Sequence, residues 1–337
     1  MKNILVVNVN WLGDIVFSAP VFQAIKDTYP QSRVSALALP RVVGILKQVP
    51  YVDEIIVYDE KGHDRSLWGK LKLIAHLRSK DFDAVFLLHG SWTRALLVFL
   101  AGIPIRVGYD RKKRGWLLTH RVVMDEGVVH RSDLYLKVLE PLGIAVKNRQ
   151  TCLEVDQEAV RRVKDMLTGF QIHEGDFCVV VHIGGNWNLK RWSVENFAKL
   201  FDALTRDFNA KVVVCGGEDD LALAQEVSAL AARKPVVLAG KTNLGELVAL
   251  LQRASVVISG DSGPLHLANS VGTSVIGLFG PTHPSVTGPR GSGKSMVIRH
   301  EMGCNIKPCY HLKCPDNVCM KAITVNHVIQ KIREFAY

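Results

Sequence analysis

The feature that most constrains the fold is a regular alternation of short apolar runs with helical patterns. In the first half of the chain the apolar runs predict strands at 4–9, 33–39, 54–58, 84–88 and 106–108. The segments between them have helical spacing and predict helices at 16–28, 42–48, 67–79 and 94–100, and a helix with a polar face is predicted at 131–142. Alternation of strand and helix is typical of a mostly parallel, doubly wound sheet with helices on both faces.

The alternation of strands and helices is interrupted at 143–154, a segment that we interpret as a link between domains, and it then resumes. Further strands are predicted at 178–182, 211–215, 236–238, 255–259 and 274–279, with helices at 157–168, 194–208, 221–232, 244–253 and 266–271. A chain of 337 residues is long enough for two domains of ~150 residues each. We therefore predict an α/β fold of two Rossmann-like domains that face a cleft: residues 1–150, residues 151–322, and a final amphipathic helix within 323–337 that packs back on the first domain.

The chain is basic, with 42 Lys and Arg against 32 Asp and Glu, a formal net charge of +10. This excess favours polyanionic partners, such as a phosphorylated substrate or an anionic lipid; a basic protein without such a partner is the alternative. We expect no nucleic-acid partner, because no stripe of aromatic and basic residues and no known module is present. The longest apolar stretch, 95–103, is too short to cross a bilayer. No secretory leader is recognisable, so we expect a cytoplasmic protein, at most peripheral to a membrane.

The most specific local motif is Gly260-Asp261-Ser262-Gly263-Pro264-Leu265-His266, which lies between a predicted strand and a predicted helix. A glycine-bearing turn at this place aims backbone N–H groups and a helix N-terminus at an anion, usually a phosphate. An acid beside such a site can accept hydrogen bonds from sugar hydroxyls. The motif therefore predicts a nucleotide-sugar site in the second half of the chain.

Two further turns follow predicted strands of the same half. Residues 184–192 are glycine-containing and basic and suit a diphosphate; a solvated loop is the alternative. Residues 216–220, Gly-Gly-Glu-Asp-Asp, place acids where a ribose diol is held in such folds. Capping of the next helix is the alternative interpretation of those acids.

In the first half, Asp14 follows the first predicted strand within Trp11-Leu12-Gly13-Asp14. Open α/β sheets bind ligands in the crevice at the carboxyl ends of their strands, where Asp14 is expected. An acid there is a candidate general base. A helix N-cap is a second and compatible interpretation.

Two pattern matches are rejected because their context is wrong. Residues 288–295 fit the phosphate-loop pattern G-x-x-x-x-G-K-S, but a proline-rich loop precedes them and 295–298 predicts a strand where the motif needs a helix. Residues 260–263 match the nucleophile segment of trypsin-like proteases, which are all-β proteins. No G-x-G-x-x-G follows the first strand, and no D-x-D pair stands in the usual position for a metal that binds nucleotide-sugar phosphates.

Four of the seven cysteines, Cys304, Cys309, Cys314 and Cys319, recur at intervals of five residues. Four thiolates could hold zinc or an iron–sulfur cluster, but this spacing is not a standard ligand pattern. A packed thiol cluster or a labile disulfide is the favoured interpretation. We therefore expect no metal, with the four cysteines as the alternative site.

Taken together, the motifs resemble those of the ADP-heptose:lipopolysaccharide heptosyltransferases, glycosyltransferase family 9, which have the two-domain GT-B fold. The resemblance rests on segments in the right order along the chain: 11–14, 190–192, 216–220, 261–266 and 280–282. Residues 99–104 and 106–109 look most like the type II enzymes, which add the second core heptose.

The resemblance implies an inverting, metal-independent transfer that needs no cofactor, from an ADP-sugar held by the second domain. Asp14 would take the proton of the acceptor hydroxyl. Lys190 and the backbone amides of Ser262 and Gly263 would neutralise the departing ADP, and Asp261 would hold hydroxyls of the heptose. The rest of the implied donor-binding set is Asp219 and Asp220 at the ribose, Thr242 near the adenine, His266 and Thr282.

The acceptor implied by the resemblance is an anionic, lipid-linked oligosaccharide, the inner core of lipopolysaccharide, reached at the cytoplasmic face of the inner membrane. It would bind the first domain. The residues implied to meet its anionic groups are Arg94, Arg111, Lys112, Lys113 and Arg114; a solvated loop is an equal interpretation of 111–114. Two other functions stay open: transfer of another sugar from another nucleotide, and non-catalytic binding of a nucleotide sugar. Asp14 argues against the second, because an inactive relative could lose its base.

Overall fold

Two parallel sheets, one in each half of the chain, form the framework of the computed structural model, which describes residues 1–124, 127–301, 303–304, 309 and 314–336. The chain divides into two compact units, Met1–Leu153 and Glu154–Tyr337, called unit 1 and unit 2 below. Each unit contains one six-stranded sheet, and every strand pair described is parallel. The predicted α/β fold is confirmed.

Unit 1 has the sheet order β3-β2-β1-β4-β5-β6. Its strands are β1 (Asn3–Val7), β2 (Arg33–Ala38), β3 (Glu54–Val57), β4 (Ala84–Leu87), β5 (Ile105–Tyr109) and β6 (His120–Val122). Its helices are α1 (Leu12–Thr28), α2 (Val43–Leu46), α3 (Leu67–Ser79), α4 (Trp92–Leu100) and α5 (Arg131–Leu136).

Unit 2 has the order β9-β8-β7-β10-β11-β12, which is the same topology. Its strands are β7 (Cys178–His182), β8 (Lys211–Cys215), β9 (Val236–Val237), β10 (Val256–Gly260), β11 (Val275–Leu278) and β12 (Ser295–Ile298). Its helices are α6 (Gln157–Gly169), α7 (Val194–Phe208), α8 (Leu221–Leu230), α9 (Leu244–Arg253), α10 (Gly263–Ser270), α11 (Pro284–Thr287), α12 (Val318–Lys321) and α13 (Val325–Ala336).

The strand order reverses between β1 and β4 in unit 1 and between β7 and β10 in unit 2. Loops on either side of such a reversal diverge to opposite faces of the sheet and leave a crevice at the carboxyl ends of the strands. Each unit therefore has one topological switch point where a ligand is expected.

Helix α7 shows how the sequence sets these elements. The hydroxyl of Ser193 accepts a hydrogen bond from the backbone amide of Asn196 and caps the first turn, an arrangement worth ~1 kcal/mol. The apolar stripe that includes Phe197, Phe201 and Leu204 is buried in the core of unit 2. The helix ends where Asn209 adopts a left-handed backbone, with φ of 49°.

The helix predicted at 131–142 is shorter than expected. Helix α5 stops at Leu136 and continues as a 3₁₀ helix, Lys137–Leu142, which contains Pro141. Proline has no backbone N–H, so it cannot donate the α-helical hydrogen bond to the carbonyl of Lys137.

The last helix, α13, packs on α7 and β12 of unit 2. The sequence predicted packing on the first domain, but Val328, Ile329 and Ile332 of this helix are buried in the core of unit 2. Unit 1 ends at Leu153, three residues beyond the predicted boundary at 150. Among the described residues, no helix combines the length and the apolar character needed to cross a membrane.

Candidate functional site

Asp14 lies at the switch point of unit 1, in the first turn of α1 directly after β1. The helix starts four residues earlier than predicted, so Trp11 rather than Asp14 occupies the N-cap position, and the N-cap interpretation of Asp14 is wrong. A carboxylate in the first turn is stabilised by the positive end of the helix dipole. The carboxylate is therefore held at a ligand-binding edge without being used to cap the helix.

Tyr135 of α5 orients this carboxylate. Its hydroxyl donates a hydrogen bond of 2.9 Å to Oδ1 of Asp14. Tyr135 is buried, and burial together with the charge of Asp14 raises the pKa of its hydroxyl well above its usual value. The hydroxyl therefore stays protonated and can act only as a donor to Asp14. No described residue bonds to Oδ2 of Asp14, which leaves that oxygen to accept from a substrate.

A second polar pair, Asn10 and His89, follows β1 and β4 on the two sides of the same switch point. The side-chain amide of Asn10 lies 3.2 Å from Nε2 of His89. Burial, with the charges of Arg94 and Arg114, lowers the pKa of His89 to about 4, so the ring is neutral near pH 7. Nδ1 of His89 and Oδ1 of Asn10 are buried and have no partner among the described residues. Whichever way the amide is turned, the pair leaves one donor and one acceptor open.

Two of the predicted acceptor-binding residues are buried and bonded inside unit 1. Arg94 donates to the carbonyl of Asn8 at 3.0 Å and pairs with Glu60 at 3.4 Å. Arg114 donates to the carbonyls of Tyr109, His89 and Ser91, and so ties the ends of β4 and β5 together.

The other three predicted residues, Arg111, Lys112 and Lys113, are exposed. Lys112 and Lys113 both adopt left-handed backbone conformations, with φ of 55° and 56°, in a tight turn. The run 111–114 is therefore not one surface, because its fourth member points into the fold.

In unit 2, Asp261 joins Lys190 and His266 at the carboxyl end of β10. Nζ of Lys190 lies 2.8 Å from Oδ2 of Asp261 and also donates to its carbonyl, and Nε2 of His266 lies 3.3 Å from Oδ1. Burial would raise the pKa of Asp261, but the hydrogen bond from His266 and the charge of Lys190 hold it well below its usual value. The ammonium of Lys190 also lies over the ring of Trp187, at 5.0 Å. Lys190 belongs to the turn at 184–192, which the sequence assigned to a diphosphate. This turn and the motif at 260–266 thus form one cluster.

Ser262 forms the N-cap of α10 and belongs to a second polar chain. Its Oγ lies 2.8 Å from Oγ of Ser259 and 3.0 Å from Nδ1 of His182. Nε2 of His182 faces Asp220 at 3.5 Å. Because Asp220 can only accept, the proton of the imidazole is favoured on Nε2, and Nδ1 accepts from a serine hydroxyl. The chain links the ends of β10, β7 and β8.

Of the two predicted ribose acids, Asp220 is engaged within the unit and Asp219 is exposed. Asp220 accepts from the backbone amide of Gly217 at 3.0 Å, in addition to its contact with His182. It packs so closely on Gly184 that a Cβ there would lie 2.0 Å from Oδ1 of Asp220, so this position needs glycine.

The remaining predicted donor residues lie on neighbouring turns of unit 2. Thr242 is half-buried in a turn that is tied to the end of β8 by a hydrogen bond of 3.0 Å from the amide of Gly240 to the carbonyl of Gly216. Thr282 is buried after β11, and its hydroxyl has no partner among the described residues.

The rejected phosphate-loop match has a structural role. Ser295 begins β12, as predicted, so no helix follows the loop. Asn269 of α10 accepts from the amide of Gly291 and donates to the carbonyl of Gly293 at 2.7 Å. A Cβ at Gly291 would lie 2.1 Å from the carbonyl oxygen of Asn269. The close packing on α10 therefore requires glycine at position 291.

The four C-terminal cysteines are free thiols, with Cys304 exposed and the other three half-buried. Burial raises the pKa of Cys319, so its thiol is the favoured form near neutral pH. Within the described part of the chain, no group of three or more His, Cys, Asp or Glu residues has an arrangement that could hold a metal ion.

Three residues of the two switch points were missed by the sequence analysis. Tyr135 is 121 positions from Asp14, and no local pattern marks it. His89 and His182 each follow or end a buried strand, a position that could have identified both.

The fold and the site define a class of protein: two doubly wound units, with a base candidate at one switch point and a phosphate-type turn at the other, are the arrangement of a GT-B glycosyltransferase. The family described as glycosyltransferase family 9 (heptosyltransferase) matches residues 70–317. The chain therefore belongs to glycosyltransferase family 9, and it is an enzyme of the glycosyltransferase class.

Individual relatives agree with this assignment. Lipopolysaccharide heptosyltransferase 3 of Escherichia coli K12 is 30% identical over 311 residues, which cover 88% of this chain and 90% of that protein. A family 9 glycosyltransferase from Veillonella parvula DSM 2008 superposes with a TM-score of 0.88 at 27% identity, over 99% of this chain and 97% of that one. The ADP-heptose lipopolysaccharide heptosyltransferase II of E. coli gives 0.83 at 26% identity, over 99% and 98%. The predicted family and the GT-B fold are confirmed.

Proposed function

We propose that the protein transfers a heptose from ADP-heptose to the inner core of lipopolysaccharide, by one inverting displacement that needs no metal ion. Its family supports glycosyl transfer, and the names of its relatives supply the sugar and the acceptor. The observation that carries the proposal is the pair of Asp14 and Tyr135, a carboxylate oriented at a ligand-binding edge with one oxygen open.

In the proposed reaction, the acceptor hydroxyl attacks the anomeric carbon of the donor from the face opposite the diphosphate. Its proton passes to Oδ2 of Asp14, while Oδ1 is held by Tyr135. The bond from the anomeric carbon to the diphosphate oxygen breaks, and ADP leaves with the electron pair. One displacement at this carbon inverts its configuration.

The leaving group gains charge, and unit 2 supplies the groups that would stabilise it. The ammonium of Lys190, which pairs with Asp261, can donate to the diphosphate, and the N-terminus of α10, with the amides of Ser262 and Gly263, contributes roughly half a positive charge. These groups would replace the divalent ion that other glycosyltransferases use. Asp261 would bind sugar hydroxyls, with Asp220 and Asp219 at the ribose and Thr242, His266 and Thr282 around the nucleotide.

The acceptor is assigned to unit 1, through Arg111, Lys112, Lys113 and the open pair Asn10 and His89. Unit 1 carries 22 Lys and Arg against 14 Asp and Glu, whereas unit 2 carries 20 against 18. Most of the positive charge therefore lies on unit 1, which supports an anionic, lipid-linked acceptor and a peripheral location at the cytoplasmic face of the inner membrane.

The test is a panel of ADP-, UDP-, GDP- and CDP-linked sugars, first by thermal shift and then by nucleotide release with a lipid A-linked core acceptor. We expect ADP-heptose to raise the melting temperature, because it binds the folded state, and to support turnover that EDTA leaves unchanged. Turnover with a different nucleotide sugar would reassign the donor. Activity lost in EDTA and restored by Mg²⁺ would refute metal independence, and donor binding without turnover would favour the non-catalytic alternative.

A further inference from the structure

Helix α3 of unit 1 has apolar residues on two opposite sides. Gly69, Leu73 and Leu77 are buried against the unit. Leu67, Trp68 and Leu71 are 73%, 75% and 45% exposed. Positions 67 and 71 are one helical turn apart and 68 lies beside them, so the three side chains form one surface. We call Leu67, Trp68 and Leu71 the α3 patch.

The α3 patch is not needed to form the helix. Ser66 already caps the first turn by accepting a hydrogen bond from the amide of Gly69 at 3.0 Å. An ordinary surface helix presents polar residues on its outer side, and a large apolar group in water forgoes the gain of burial. An outer turn with Leu, Trp and Leu therefore indicates a surface that is covered in use.

The charge around the α3 patch is positive. Helix α3 contains Lys70, Lys72 and Arg78 and no acid, and Lys61 and Arg65 precede it.

The acids of the preceding turn already have partners. Asp64 is buried and accepts from the amide of Asp59, Asp59 accepts from the amide of Gly62, and Glu60 pairs with the buried Arg94. Between positions 59 and 79 there are five Lys and Arg residues against these three acids, so the surroundings of the patch carry a net positive charge.

We infer that the α3 patch, with Arg65, Lys70 and Lys72, docks unit 1 on the surface of a bilayer that contains anionic phospholipid. Tryptophan and leucine on a helix flanked by lysine and arginine are typical of segments that lie in the headgroup region. Each nearby basic residue adds attraction to anionic headgroups. A protein partner fits less well, because the cores of protein interfaces are depleted in lysine. The inference rests on the proposed function in one respect, the lipid-linked acceptor.

The test is co-sedimentation with vesicles of equimolar phosphatidylglycerol and phosphatidylcholine, compared with phosphatidylcholine alone. We expect the parent to bind the mixed vesicles, and the triple variant Leu67→Gln, Trp68→Gln, Leu71→Gln to lose at least tenfold in partition coefficient. The variant Arg65→Gln, Lys70→Gln, Lys72→Gln should lose the preference for anionic vesicles. A control variant exchanges two exposed large apolar residues of unit 2, Phe170→Gln and Leu230→Gln, and should bind like the parent.

Two further measurements separate this inference from its alternatives. Unchanged donor affinity and unchanged turnover of a delipidated, water-soluble acceptor would show that the triple variant is folded, while turnover of the vesicle-embedded acceptor should fall. Vesicle binding does not depend on which sugar is transferred, so a failure of the proposed function leaves it measurable. The inference is overturned if the triple variant binds mixed vesicles as the parent does, or if the parent is a dimer that the same substitutions dissociate without any loss of vesicle binding.

Discussion

The two units have the same strand order and carry their candidate site residues at the same topological point, yet their surfaces differ sharply. Of the large apolar side chains that are exposed in the described part of the chain, thirteen lie in unit 1 and two in unit 2. Unit 1 also holds most of the excess positive charge. Unit 2 instead concentrates ion pairs and hydroxyl groups at its strand ends. The shared strand order thus predicts the edge of each sheet at which a ligand is expected, and the different side chains at those edges and on the surfaces predict different ligands.

The largest effect should come from unit 1 alone. Asp14→Asn keeps the size of the side chain and removes its basicity, so we expect kcat to fall by roughly 10²–10⁴-fold, the usual contribution of a general base. The donor Kd, which we assign to unit 2, should be unchanged when it is measured by calorimetry. Near-normal turnover in this variant would show that Asp14 is not the general base. It would also contradict the assignment of the base to unit 1 and of donor binding to unit 2.

The next effect belongs to unit 2. Lys190→Ala should weaken ADP binding by ~1.5–3 kcal/mol, because it removes a charged hydrogen-bond donor, which is about 10- to 150-fold in Kd. Lys294→Ala makes the same charge change in the rejected phosphate loop, on an exposed side chain, and should leave ADP affinity unchanged. If the two variants behaved in the opposite way, the phosphate site would have to be moved to the loop at 288–295.

Tyr135→Phe tests whether the hydroxyl does more than pack. We expect kcat/KM at pH 7 to fall by roughly two- to tenfold, the net contribution of one hydrogen bond. The hydroxyl orients the carboxylate proposed to take the proton, so the loss should appear in kcat and not in the donor Kd measured by calorimetry. An unchanged kcat would indicate that the hydroxyl only packs.

His182 is expected to act through Ser262, and a double-mutant cycle measures this. His182→Asn and Ser262→Ala should each raise the donor Kd by roughly two- to tenfold. The double variant should lose less than the sum of the two, with a coupling of ~0.5–1 kcal/mol, the lower part of the range typical of residues in one hydrogen-bond network. Additive losses would mean that the two side chains serve the donor independently.

The smallest effect concerns acceptor steering by unit 1. The variant Arg111→Gln, Lys112→Asn, Lys113→Asn leaves the buried Arg114 intact, and asparagine tolerates the left-handed turn. Acceptor kcat/KM should fall with ionic strength in the parent, because the Debye length shrinks from ~10 Å at 0.1 M to ~3 Å at 1 M. The variant should show a flatter slope and the same donor affinity. An identical slope would make 111–113 a solvated turn.

The sequence predicted well those elements whose signal is local. Strand β7 and helices α3 and α7 were placed with the observed bounds, because buried apolar runs and serine caps mark them. Edge strand β6 was missed, since His-Arg-Val has no apolar run.

The site was predictable where a motif carried it, as at 260–266. The site was not predictable where a residue contacts a partner that is distant in the sequence, as Tyr135 contacts Asp14. It was also not predictable where neighbouring groups bury a charged side chain. Arg114 sits in a run that looks solvated, but three backbone carbonyls draw its guanidinium inward.

The side chain of Asn269 has a consequence for the opposite end of its helix. Helix α10 is eight residues long, roughly 12 Å, and behaves as a short rigid rod. Asn269 fastens its far end to the loop at 291–293, while Ser262 stands at the near end. If these hydrogen bonds of Asn269 were lost, helix α10 could shift or tilt, and the amides of Ser262 and Gly263 would move with it. Asn269, nearly two helical turns from Ser262, thus helps to fix the direction of the amides proposed to bind the phosphate.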